Sequence, residues 1–131
     1  MVLLRKPLFQ ENSISIFCRQ PLHENEDYNA SGLDILHKAE NKHFWFLSRK
    51  ERLLSVFEKY VDPNANILEI GAGTGNVSES LMKAGYNNIS VGEMHINGLR
   101  YAEQYGIKKC YQFDLFDPPF KNHFDVIGMF D

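Results

Sequence analysis

From residue 67 to the end of the chain, short apolar runs alternate with amphipathic stretches. Ile67–Ile70 is an apolar run of strand length, Val77–Ala84 repeats at helical spacing, Ile89–Glu93 is a second strand-like run and Ile96–Tyr105 a second helical stretch. Two more strands are predicted at Lys109–Phe113 and Phe124–Phe130. Gly85 and Gly106 stand just past the helical stretches, where a left-handed residue commonly closes a helix. The order β-α-β-α-β-loop-β predicts an α/β fold with a mainly parallel sheet and right-handed crossovers.

Upstream the pattern is helical, then irregular. Ser31 with Asp34 resembles a capping box opening a helix whose apolar positions include Leu33, Leu36 and Ala39. Ser48 with Glu51 repeats the pattern ahead of Leu53, Leu54, Phe57, Tyr60 and Val61, and Asp62-Pro63-Asn64 ends that segment. The aromatic run Phe44-Trp45-Phe46 lies between the two. In residues 1–30, Ser13–Phe17 alternates like a short strand, whereas Pro7, Pro21 and the acidic, Asn-rich stretch His23–Asn29 read as loop. The chain divides accordingly into an N-terminal extension with the first helix, residues 1–40, and an α/β domain, residues 41–131.

Composition narrows the class without naming it. The 131 residues are 44% hydrophobic and 24% charged, a globular balance that can bury a core. A net charge of -3, with 14 basic residues in no long run, argues against nucleic acid or an anionic membrane as partner. Cys18 and Cys110 form no CxxC pair, so reduced thiols in a cytoplasmic protein are expected and a structural zinc site is not. The apolar start Met1–Leu4 is too short for a signal peptide or membrane span. Cys110 is expected as a buried small apolar group, and His95 and His123 as exposed loop residues.

The chemistry concentrates in Ile67-Leu68-Glu69-Ile70-Gly71-Ala72-Gly73-Thr74-Gly75-Asn76, a strand that runs through a glycine turn into a helix. Glycines there permit torsions and a close ligand approach that side chains would block. The spacing is GxGxG, whereas the dinucleotide fingerprint is GxGxxG with a pyrophosphate over the helix N-terminus. Carboxylates follow at the ends of the next two strands, Glu93 after Ser90-Val91-Gly92 and Asp114 after Gln112-Phe113. Together with Phe124-Asp125-Val126-Ile127, this series over residues 41–131 resembles the class I S-adenosylmethionine-dependent methyltransferases.

The resemblance implies a Rossmann-like sheet that is incomplete at the C-terminus, and S-adenosyl-L-methionine as cofactor. It implies that Glu69 and the turn Gly71, Ala72, Gly73, Thr74 and Gly75 border the methionine and ribose parts. Glu93, with Met94 beside it, would accept hydrogen bonds from both ribose hydroxyls. Asp114 and the backbone of Leu115 would read the adenine. His43-Phe44-Trp45-Phe46 with Arg49 is similar to a segment before the glycine motif in a small-molecule subgroup that includes the ubiquinone-biosynthesis O-methyltransferases. Trp45 would then lie near the sulfonium and Arg49 near the carboxylate, or these aromatics simply pack the helix on the sheet.

The implied activity is methyl transfer to a small-molecule O, N or C nucleophile, which can run on positioning alone; no general base is evident. Two other readings stand beside it. One is a nicotinamide-dependent oxidoreductase, with Glu93 as the ribose-binding acid. The other is a non-catalytic module derived from a methyltransferase. The apolar strand at Phe124–Phe130 should lie beside the strand at Ile67–Ile70 and expose an unpaired edge. A longer natural chain, or self-association through that strand, is therefore expected, with little turnover from these residues alone.

Overall fold

The computed structural model describes residues 2–19 and 30–130. Its elements are β1 (Val2–Leu3), β2 (Phe9–Glu11), β3 (Ile14–Ile16), α1 (Ala30–Ala39), α2 (Phe44–Tyr60), β4 (Ile67–Ile70), α3 (Asn76–Lys83), β5 (Ile89–Gly92), α4 (Ile96–Gln104), β6 (Cys110–Gln112), β7 (Phe120–Lys121) and β8 (Val126–Gly128). Six strands form one sheet in the order β2-β3-β6-β5-β4-β8, in which only the β2–β3 pair is antiparallel. The helices α3 and α4 carry the parallel crossovers, as the alternating pattern predicts. The strand after residue 124 lies beside β4, with Ile67 opposite Val126.

Strand alternation sorts the core into two layers. Ile67, Ile89, Val91 and Cys110 meet Phe57, Val77, Leu81, Leu99 and Ala102 from the helices. Leu68, Tyr111 and Phe113 point the other way and join Phe17, Phe120 and Phe124 in an aromatic cluster. Neighbouring rings there meet edge-on, Tyr111 with Phe120 at 4.8 Å and Phe113 with Phe120 at 5.5 Å between centroids. Ile127 of β8 is exposed.

Several boundaries differ from expectation for identifiable reasons. α2 begins at Phe44 rather than at Ser48, because the His43 ring nitrogen Nδ1 accepts from the Trp45 backbone N–H and caps the helix one turn early. Ser31 lies inside α1 and cannot be its cap, and Asp34 instead accepts from the Tyr101 hydroxyl of α4. The N-terminal residues expected as an extension also build the sheet: β3 pairs in parallel with β6, and β2 completes a hairpin. β1 pairs with β7, within the connector after Asp117-Pro118-Pro119, an arrangement with no sequence-local signal. The stretch His23–Asn29, predicted as loop, lies outside the described residues. No helix among the described residues is long and apolar enough to cross a membrane.

Candidate functional site

The glycine turn leaves β4 and enters α3 through left-handed torsions: φ is 69° at Gly71, 58° at Gly73 and 80° at Gly75. The Gly71 and Ala72 amides donate to the Gly92 carbonyl at 2.9 and 3.1 Å, and Gly75 N–H closes the turn on the Ala72 carbonyl at 2.9 Å. α4 presses on its outer side. A Cβ at Gly98 would stand 2.2 Å from the Gly73 carbonyl oxygen, so the helix can approach the turn only because that position is glycine. At Gly71 no protein atom lies within 4 Å of where a Cβ would stand, which leaves room for a ligand against the backbone.

The three carboxylates predicted for the site stand in different states. Glu93 is held at both oxygens: Oε2 accepts from Gly73 N–H at 2.8 Å and Oε1 from His95 N–H at 3.1 Å. A carboxylate oxygen can accept more than one hydrogen bond, so Glu93 keeps acceptor capacity. Glu69 is buried, accepts from the Ser78 hydroxyl, and is pushed by burial up to about 7. Asp114 is buried too; its Oδ1 accepts from Phe116 N–H at 2.9 Å and its carbonyl from Asp117 N–H at 2.9 Å, which folds the loop that follows.

A cavity of about 550 Å³ opens over the carboxyl ends of β4, β5 and β6, where α/β sheets of this order bind ligands. Its sheet-side wall is Ile70, Gly71, Ala72, Gly73, Gly92, Glu93, Met94, Phe113 and Leu115. The facing wall is Leu36, Glu40, Trp45, Phe46 and Arg49 from α1, α2 and their connection. The Arg49 guanidinium lies 5.0 Å from the Trp45 ring centroid and 5.7 Å from that of Phe46, within cation–π range. Its Nε is buried without a hydrogen-bond partner among the described residues.

Of the residues predicted for the site, Glu69, Gly71, Ala72, Gly73, Glu93, Met94, Leu115, Trp45 and Arg49 border this cavity. Thr74, Gly75 and Asp114 are buried and do not border it. Thr74 donates its hydroxyl to Glu40 Oε2 at 2.6 Å, and Gly75 packs on Ala102 of α4. His95, expected as an exposed loop residue, is half-buried and borders the cavity, because it precedes α4 directly behind Glu93. Cys110 is fully buried, and burial pushes its thiol up to about 12, so it acts as a small core group.

Three residues of consequence carried no motif. Glu40 follows the last turn of α1, where the helix dipole disfavours an anion; that misplaced charge was the available signal. Phe130 borders the cavity and packs edge-on against Phe57 of α2 at 5.7 Å. Gln112 is fully buried and knots three segments: Oε1 accepts from Cys18 N–H at 3.1 Å, while Nε2 donates to the Met94 carbonyl at 3.2 Å and to Cys18 Sγ at 3.0 Å.

No protein-family model matches the sequence, and no curated protein matches it. Among solved structures, the chain is similar to a proposed S-adenosyl-L-methionine-dependent methyltransferase from Methanococcus maripaludis, with a TM-score of 0.66 and 16% identity. The superposition covers 81% of this chain and 52% of that one, so the chain spans about half the length of its structural neighbour. At that identity the likeness is one of fold: the chain has the Rossmann-like α/β architecture found in that methyltransferase, with a mostly parallel sheet and a glycine turn after its β4 strand.

Proposed function

We propose that this chain binds S-adenosyl-L-methionine in the cavity above β4, β5 and β6 and belongs to an enzyme that methylates a small molecule. One observation carries the reading: the glycine turn, Glu93 and Arg49 border a single cavity although they come from three separate parts of the chain. In this reading Gly71 to Gly73 admit the ligand against the backbone. Glu93, already oriented by Gly73 and His95, accepts from the ribose hydroxyls. Arg49, with a buried N–H unpaired, receives the ligand's carboxylate. Met94 and Leu115 flank the adenine, and Asp114 shapes the Leu115 loop from behind. When bound, the cofactor would supply a methyl group activated by its positive sulfur.

A small-molecule acceptor is supported by a net charge of -3 and by the apolar residues Phe113, Leu115 and Phe130 in the cavity lining. Calorimetry with S-adenosylmethionine, S-adenosylhomocysteine, NAD and NADP tests the binding claim. Micromolar or tighter binding of the adenosyl compounds alone is expected. Tight binding of NAD or NADP with no response to either adenosyl compound would replace this reading with a dehydrogenase. Turnover with radiolabelled methyl donor and a panel of small nucleophiles then separates an enzyme from a binding module.

A further inference from the structure

The cavity has one strongly polar end, and its charges are unlike those of a site that reads only a nucleoside. There Arg49 meets Glu40 and Glu69 within the same lining. The two carboxylates are differently committed. Glu69 is tied to the start of α3 by Ser78, and burial favours its neutral form. Glu40 is 3% exposed, and Thr74 holds its Oε2 at 2.6 Å from the back of the glycine turn; burial raises its carboxyl too, opposed by that hydrogen bond and by the nearby charges of His37, Lys50 and Arg49. Among the described residues no hydrogen-bond donor reaches Oε1. Glu40 borders the cavity, so a donor brought by a ligand can meet that open oxygen.

We propose that Glu40 is the specificity-determining residue for the amino-acid end of the ligand: it takes the α-ammonium while Arg49 takes the α-carboxylate. The inference rests on the cofactor reading above and adds a residue that no motif marked. Opposite charges in one cavity lining can meet a zwitterion at two points, and an α-ammonium offers three donors to a carboxylate held from behind by Thr74. Thr74 sets the position of Glu40. Its hydroxyl joins the connection after α1 to the glycine turn, so the group reading the ammonium is referenced to the backbone that seats the rest of the ligand. Glu40 thereby selects S-adenosylmethionine and S-adenosylhomocysteine over adenosine thioethers that lack the amino-acid end.

Calorimetry on the wild-type chain, with S-adenosylhomocysteine, its analogue lacking the α-amino group, and 5′-methylthioadenosine, tests this without any mutation. Loss of the amino group should weaken binding about tenfold to a hundredfold, as expected for a hydrogen bond to a charged group. Glu40→Gln should weaken S-adenosylhomocysteine by a similar factor, leave 5′-methylthioadenosine within about twofold, and erase the penalty for the missing amino group. Equal affinity of the wild type for S-adenosylhomocysteine and the amino-less analogue overturns the inference but leaves the cofactor reading standing. Equal weakening of all three ligands by Glu40→Gln also overturns it, since it would mark Glu40 as a structural support. If the wild type binds none of the three, the cofactor reading fails and this inference with it.

Discussion

The two walls of the cavity are built by different means. The sheet-side wall is mostly backbone: strand ends, a glycine turn fixed by its own amides, and a carboxylate pinned by the Gly73 and His95 amides. The facing wall is made of side chains from α1, α2 and their connection, held by single long-range contacts such as Thr74 to Glu40 and by Arg49 lying across Trp45 and Phe46. The first wall is preorganised by local geometry. The second depends on how a helical segment docks, and its residues carry the charge that would discriminate among ligands. A fold of this kind can therefore keep a cofactor seat while varying what approaches it from the helical side.

The largest effect expected from a single change strikes the seam between the turn and α4. Gly98→Ala would drive a methyl group into the Gly73 carbonyl, a backbone atom that cannot step aside without moving the turn. Overpacking of this sort costs about 3 kcal/mol, which urea unfolding would read as a lower midpoint with an unchanged slope. Gly71→Ala is the control on the open side, where only the left-handed torsion is strained, at about 1 kcal/mol. Equal destabilisation by the two would mean that α4 does not bear on the turn.

Glu93→Ala should come next. It removes the acceptor that orients Gly73 and, in the proposed role, both ribose hydrogen bonds. Hydrogen bonds to charged groups contribute about 1.5–3 kcal/mol each, so an affinity loss between about tenfold and a thousandfold is expected after water partly replaces them. Titration with S-adenosylhomocysteine measures it. A folded variant with unchanged affinity would leave Glu93 as a brace of the turn and nothing more.

Glu69 offers a test through pH. Its carboxyl is raised from 4.5 to about 7 by burial, so between those values the folded protein holds a proton that the unfolded chain has released. This contribution to stability is fully present below about pH 4.5 and is lost as pH rises through about 7, a change on the order of 3 kcal/mol. Glu69→Gln has no such proton to lose. The difference in unfolding free energy between variant and wild type should therefore grow in the variant's favour from pH 5 to pH 8.5. A difference that stays flat across that range would show that Glu69 ionises freely where it stands.

How much of this could be read in the sequence follows the same division of walls. β4, α3, β5 and α4 were legible because apolar period, helix-closing glycines and the GxGxG turn act over a few residues. β1, β2 and β7 were not, since strands of two or three residues carry too short a pattern, and β1 finds its partner more than a hundred positions away. The early start of α2 escaped because His43 is an unusual cap. Glu93 and the glycines were found by motif. Glu40 and Gln112 were not, because their meaning lies in contacts with Thr74, Met94 and Cys18 that only the folded chain creates.

The smallest expected effect falls on the facing wall and separates the two readings of the aromatic segment. Trp45 is about half exposed, packs edge-on against Phe46 and lies under the Arg49 guanidinium at 5.0 Å. If its work is packing alone, Trp45→Ala removes an exposed cation–π contact of about 0.5–1 kcal/mol, and stability falls by that amount with ligand affinity unchanged. If it holds Arg49 over the cavity, the stability change is the same, but the guanidinium is released to solvent and affinity for ligands bearing a carboxylate falls severalfold. Trp45→Phe keeps a ring face for Arg49 and should recover most of that loss, since the contact needs a π surface and not the indole N–H. Parallel unfolding and calorimetry on the two variants decide between the readings. Recovery by phenylalanine of affinity for S-adenosylhomocysteine, without change for 5′-methylthioadenosine, would mark Trp45 as the platform on which Arg49 is presented.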